Sequence, residues 1–273
     1  MCILFIAIKQ HPLYPLIIAA NRDEFHKRPT QAAHFWEGDE KPLAGKESIA
    51  GEKPSDEKKL LAGKDLTAGG TWMGINNAGS IAALTNIRAP GKERPNAVTR
   101  GELVANFLKQ NVDHSEYLKK LEDSHLQYNG YNLLFGDLKK LQVYNSFENT
   151  VDELTDGVYG LSNANLNSPW PKLDMGRSAL AKYCKSTEAL DHEHLFELLG
   201  NNLPANDDEL PNTGIPVEWE KKLSSIFITS EEYGTRSSTV LLIDEQQQAY
   251  WEERSFSSTG EITNTVVHKF AIS

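Results

Sequence analysis

Two places in the sequence carry residue types that could do chemistry together. The first is Cys2, directly after Met1. A small second residue permits removal of the initiator methionine, which leaves Cys2 with a free α-amino group. Such an amine has a reference pKa of about 7.7–8.0 and can act as general base for the side chain of its own residue. A reference thiol is only a few per cent thiolate at neutral pH, and nearby cations raise that fraction. The second place is Ala19-Ala20-Asn21-Arg22-Asp23-Glu24, where four polar residues follow an apolar run. An arginine there favours thiolate, and a carboxylate holds the α-amine in place. Each place also has a plain alternative. A cysteine after Met can be a small apolar residue opening a strand, and 21–24 can be a solvated charge cluster at a strand end.

The elements around these residues decide whether they meet. Residues 2–8 are β-branched and aromatic and predict a buried strand. His11-Pro12 and Pro15 mark a turn, and 16–20 form a second apolar run. The two make a hairpin whose open end holds Cys2 and residues 21–24. Alternation along a strand sends Arg22 and Asp23 to opposite faces, whereas Asn21 and Asp23 share one.

Further along, 38–64 are expected to be a solvated loop with a mixed charge run at 52–59. Short strands are expected at 71–76 and 80–84, joined through Asn76-Asn77-Ala78-Gly79. Helices are expected from Thr99 as cap through Leu108, and over 115–121, 169–184 and 191–199, with Asp191 capping the last. The remaining strands fall at 131–135, 141–144, 157–161, 225–229, 237–243 and 249–253. No linker or internal repeat interrupts the chain. This order suits a single α+β domain over residues 1–273, with packed sheets covered by helices.

Composition narrows the partners. The 273 residues carry a formal charge of −10 with no Lys/Arg run longer than two. That field disfavours nucleic acid and anionic membranes and leaves a small molecule as partner. Only two cysteines, Cys2 and Cys184, are present, which suits free thiols in a reducing compartment. The opening apolar run is too short to span a membrane, which takes about 20 residues. It has no basic flank, so a cytoplasmic protein is expected. An oligomer is compatible with these totals. Gly69-Gly70 lacks the following Lys-Ser/Thr of a phosphate loop. His192-x-His194 lacks the partners of a zinc site. No cofactor or metal is expected. Trp72 could line an apolar substrate pocket.

The pairing of Met1-Cys2 with Asn21-Arg22-Asp23-Glu24 resembles the NRDE family, named for that tetrapeptide and also called the transport-and-Golgi-organisation protein 2 family. Further matching motifs include Gly69-Gly70-Thr71-Trp72-Met73-Gly74, Leu84-Thr85-Asn86, Tyr131-Asn132-Leu133, Gly160-Leu161-Ser162-Asn163, Pro169-Trp170-Pro171-Lys172 and Arg236-Ser237-Ser238-Thr239. The family is similar to the cysteine branch of N-terminal-nucleophile hydrolases, which includes conjugated-bile-acid hydrolases and penicillin V acylases.

The resemblance implies a four-layer αββα sandwich. It implies Cys2 as nucleophile, Asp23 as the carboxylate orienting the α-amine, Asn86 and Asn163 as oxyanion donors, and Arg236 as a late arginine near the thiol. Asn165 and Asn167 lie close to Asn163 in sequence. The chain departs from the hydrolase pattern at Ala20, where that branch has its early arginine; here Arg22 adjoins Asp23 instead. The implied activity is hydrolysis of a carbon–nitrogen bond other than a peptide bond, in a small acyl-amide. The alternative on the same fold is a carrier for an apolar ligand such as haem or lipid, since family members are linked to haem mobilisation and lipid homeostasis.

Overall fold

The apolar run after Cys2 is buried on both faces. Leu4, Ile6 and Ile8 enter one core, and Ile3, Phe5 and Ala7 enter another. A strand covered on both sides reads as such an unbroken run. This strand, β1 (Cys2–Ile8), pairs antiparallel with β2 (Leu16–Phe25) as the expected hairpin.

In the computed structural model, residues 2–36, 59–110, 113–186 and 189–273 are described. The chain continues as β3 (Thr30–Trp36), β4 (Leu60–Asp65), β5 (Met73–Asn76) and β6 (Ile81–Asn86). Helices α1 (Gly101–Lys109) and α2 (His114–Ser124) follow. Strands β7 (Tyr131–Gly136), β8 (Leu141–Asn145), β9 (Thr150–Leu154) and β10 (Gly157–Leu161) lead into α3 (Pro171–Ser186) and α4 (His192–Leu199). The last elements are α5 (Val217–Lys222), β11 (Tyr233–Ile243), β12 (Gln248–Phe256) and β13 (Ile262–Ala271).

Two antiparallel sheets result. One has the order β10-β1-β2-β11-β12-β13, and the other runs β3 to β9 in sequence order. Leu4, Ile18 and Trp251 of the first sheet pack on Ile75, Ala83 and Leu134 of the second. The outer face of the second sheet packs on α1 and α2 through Leu103, Phe107 and Tyr117. The outer face of the first packs on α3 and α4 through Leu173, Leu180 and Leu195. The layers are therefore αββα, as expected.

Several local expectations need correction. Residues 60–64 are not loop but the buried strand β4; the rest of the expected loop, with its charge run at 52–58, lies outside the described residues. Residues 225–229 are not a strand. Their backbone bonds irregularly, Phe227 N to Asn201 O and Ile228 N to Thr235 Oγ1. Thr99 does not cap α1; Arg100 stands at that position without a side-chain cap. Strands β3, β9 and β13 were not anticipated. By contrast, Asp191 caps α4 by accepting from Glu193 N at 3.0 Å. The β5–β6 turn also closes as expected, with Gly79 at φ +81°.

Candidate active site

The hairpin register sets Cys2 directly opposite Arg22 and Leu4 opposite Ala20. Opposed residues share a face, so Cys2 and Arg22 both look into the space between the sheets. The Arg22 guanidinium lies 4.4 Å over the Trp72 ring. Cys2, Arg22, Trp72, Met73 and Leu84 border a narrow opening there. Arg22 is buried, 3.9 Å from Glu24 Oε2, and among the described residues its Nη1 has no hydrogen-bond partner.

On the other side of β2 the ladder with β11 is irregular. Thr235 pairs with Asp23 and Ser237 with Arg22, which leaves Arg236 as the extra residue of a bulge. Asp23 serves the site with two groups. Its backbone N–H pulls the Cys2 thiol pKa down, while its buried carboxylate accepts from Thr235 Oγ1 at 2.8 Å. Asn21, on the same face as Asp23, is wholly engaged in the scaffold. Its Nδ2 donates to Leu199 O and Ile226 O at 2.9 Å each, and its Oδ1 accepts from Ser238 Oγ at 2.6 Å.

Cys2, Asn163 and Asn86 are linked through Ser162, which follows β10. Ser162 Oγ lies 3.2 Å from Cys2 O and 3.1 Å from Asn163 Oδ1. Asn163 Nδ2 donates to Asn86 O at 2.9 Å, and Arg88 N donates back to Asn163 O at 2.8 Å. Asn132 fastens the same segment by donating to Ala164 O at 2.8 Å. Asn165 and Asn167 serve elsewhere: Asn165 bonds Glu148 and Asn145, and Asn167 Oδ1 accepts from Gly160 N.

Arg236 is not brought to the thiol by any contact. Its Nη1 donates to Phe25 O, His26 O and Arg28 O at 3.0–3.1 Å, at the turn between β2 and β3. The residue that sequence reasoning missed is Lys172, in the Pro169-Trp170-Pro171-Lys172 motif. It is 3% exposed and donates from Nζ to Leu223 O at 2.8 Å. The buried ion pair Arg88–Glu220, 2.5 Å apart, acts on it together with Asp23. The motif was the available signal, but nothing in it specified a role.

Burial dominates the electrostatics. It pushes the Cys2 thiol up, against the pull first of the chain-terminal amine and then of Arg22 and the Asp23 amide. It pushes Asp23 up, opposed first by the same amine and then by Lys172. It brings Lys172 down to about 8, with Asp23 as the main counterweight. Cys184, buried in α3, is raised to about 11 by burial.

Among the described residues, one cluster could hold a metal by proximity, namely His192, Glu193 and Glu252. Arg254 already bonds both carboxylates, and Tyr250 donates its hydroxyl to Glu252. A cation fills the position a metal would take. His194 instead stacks on Tyr183 with ring centroids 5.1 Å apart.

A family model described as Transport and Golgi organisation 2 matches residues 1–258. The transport and Golgi organization 2 homolog of Mus musculus is 35% identical over 272 residues, covering 93% of each chain. The Drosophila melanogaster protein 2 of that name is 26% identical, covering 98% of each. Among solved structures, a Caenorhabditis elegans N-acylethanolamine-hydrolyzing acid amidase ortholog superposes with a TM-score of 0.50. It is 12% identical and covers 89% of this chain and 92% of its own. A conjugated bile acid hydrolase variant from Clostridium perfringens gives 0.50 at 9% identity, covering 100% and 97%. At such identities the likeness is one of fold, that of the N-terminal-nucleophile hydrolases.

Proposed function

The chain belongs to the transport and Golgi organisation 2 family, and from that premise we propose that it is an amide hydrolase with Cys2 as N-terminal nucleophile. The observation that carries this is the setting of Cys2. It opens β1, opposite Arg22, with the Asp23 N–H and Arg22 both favouring its thiolate and Asn163 joined to its backbone carbonyl through Ser162. An ordinary strand-opening cysteine needs none of these. Two structural neighbours carry hydrolase names, one of them an amidase, which supports an amide as the substrate class.

Once Met1 is removed, the Cys2 α-amine takes the thiol proton and the thiolate attacks the amide carbonyl. The amine then protonates the leaving nitrogen, and water hydrolyses the thioester. Asn163 and Asn86 supply amide donors to the oxyanion, each worth about 3 kcal/mol in comparable sites. The Asp23 carboxylate orients the amine, with Lys172 as its counter-charge. With burial raising the thiol, a terminus bearing Met1 keeps it protonated. Removal of Met1 is then the activating step.

The alternative reading is a carrier for haem or lipid on the same fold. The opening beside Cys2 measures about 10 Å³, room for roughly one water, and has to widen for an acyl amide as much as for an apolar ligand. The test is mass spectrometry of the processed protein mixed with a panel of N-acyl amides. A thioester adduct on Cys2, followed by release of free acid, is expected. Absence of both across the panel, with Cys2 no more reactive than Cys184, would sink the proposal.

A further inference from the structure

The row of residues that begins at Cys2 continues across the first sheet. Cys2 faces Arg22, Arg22 faces Ser237, Ser237 faces Ser255, and Ser255 faces Asn264. Facing residues share a side of the sheet, so all five look towards the second sheet. Neighbouring strands lie about 4.8 Å apart, which sets Ser237 about 10 Å from Cys2. Over the far end of this row lies a cleft of about 240 Å³, bordered by Ser237, Ser255 and Asn264 and, opposite them, by Gln31 and Trp72.

Trp72 is the one residue that borders both this cleft and the small opening beside Cys2. Its ring lies under the Arg22 guanidinium at 4.4 Å, so the stacked pair partitions the space above the row. The indole edge packs on Gly63 of β4, where a side chain would collide with it. We propose that the opening and the cleft are two ends of one substrate site. The cleft takes an uncharged hydrogen-bonding group carried about 10 Å from the scissile carbonyl, and the Arg22–Trp72 pair parts to admit the link. The inference rests on the reading of Cys2 as the reacting group.

The chemistry of the walls selects the group. Ser255 offers a hydroxyl, and Gln31 and Asn264 offer carboxamides. These donate and accept without charge. The two charged side chains on the wall are committed to the scaffold. Arg236 spends Nη1 on three backbone carbonyls, and Glu253 spends Oε1 on Ala33 N. A cavity of about 150 Å³ holds benzene, so the cleft has room for a short polar tail. The opening beside Cys2, at about 10 Å³, has no such room until the indole turns.

The test compares alkylation of Cys2 in the processed protein by iodoacetamide and by two N-substituted iodoacetamides of equal length, followed by peptide mass mapping. One carries a 2-(2-hydroxyethoxy)ethyl tail and the other a hexyl tail. The hydroxyl-ended tail should react about tenfold faster than hexyl, the worth of one or two hydrogen bonds. Thr263→Trp, at an exposed position of β13 bordering the cleft, should abolish that preference and leave the iodoacetamide rate unchanged, with the fold intact by circular dichroism. Asn264→Ala should reduce the preference about fivefold. Trp72→Ala should raise the rates of both tailed reagents relative to iodoacetamide. Equal rates for the two tails, a preference that survives Thr263→Trp, or tailed reagents no better admitted in Trp72→Ala would each overturn the inference. Slow reaction of Cys2 with iodoacetamide itself counts against the amidase proposal instead, and the ratio between the two tails still decides this one.

Discussion

Cys2 faces Arg22 directly across the β1–β2 ladder, and the Arg22 guanidinium lies on the Trp72 ring. The cation beside the Cys2 thiol is therefore held by stacking on an aromatic face rather than by a fork-like carboxylate pair. Such contacts contribute about 0.5–2 kcal/mol without neutralising the charge that the thiol feels.

The first prediction concerns reactivity. Iodoacetamide near neutral pH should modify Cys2 of the processed protein well before Cys184, whose thiol is raised to about 11. Arg22→Gln should slow Cys2 modification about tenfold, the effect of one pKa unit, as followed by peptide mass mapping. Trp72→Leu should do the same in part, by freeing the guanidinium. Equal rates for the two cysteines would refute the activated setting.

Lys172 sets the second. In Lys172→Met the buried carboxyl of Asp23 loses the lysine that opposes its rise and rises further. The acid limb of the pH–rate profile for Cys2 acylation should then move to higher pH, beside whatever stability is lost by leaving Leu223 O unpaired. A residue serving packing alone would move the melting temperature and leave the profile in place.

Asn163→Ala should lower the acylation rate about a hundredfold if its amide stabilises the oxyanion. Asn21→Ala should differ in kind. It strands Leu199 O and Ile226 O, both inside the fold, and should cost about 3 kcal/mol of stability by urea denaturation. Its Cys2 reactivity, measured under native conditions, should stay close to wild type.

Glu253 gives a pH dependence with a definite sign. Its folded pKa is raised from 4.5 to about 7 by burial, so the folded state binds the proton more tightly than the unfolded state does. Stability from this group is full below pH 4.5, falls as pH rises towards 7, and stays low above. The span corresponds to about 3 kcal/mol. Glu253→Gln should flatten that slope and be the more stable protein above pH 7, as read from denaturation curves across the range.

The layered fold was legible because its central strands are apolar on both faces, as in 2–8 and 131–135. The edge strand β13 escaped notice because its residues 262–265 are exposed and polar in pattern; an edge needs no apolar run. Conversely, 225–229 reads as a strand from its apolar content, but its residues 225–228 are buried in an irregular segment. At the site, the tetrapeptide at 21–24 pointed to the right strand end. It could not say that Asn21 is tied to partners 178 and 205 residues away. Nor could it say that Arg236 is drawn off to the β2–β3 turn. Such commitments are set by tertiary neighbours, and local spacing carries no trace of them.

The order of the first sheet has a consequence for how the chain acquires its site in time. β1 is flanked by β2 and β10, and β2 in turn by β11. β1 thus has one partner close by, at 16–25, and waits for the other at 157–161, while β2 waits for 233–243. The second sheet, whose strands pair in sequence order, can form from local contacts as synthesis proceeds. Pairing across such separations is slow to nucleate. The β1–β2 hairpin can bring Arg22 and Asp23 to the cysteine early, but Asn163 and the flanking strands β10 and β11 are made only late in synthesis. The surroundings of that thiol are complete only when nearly the whole chain has been made.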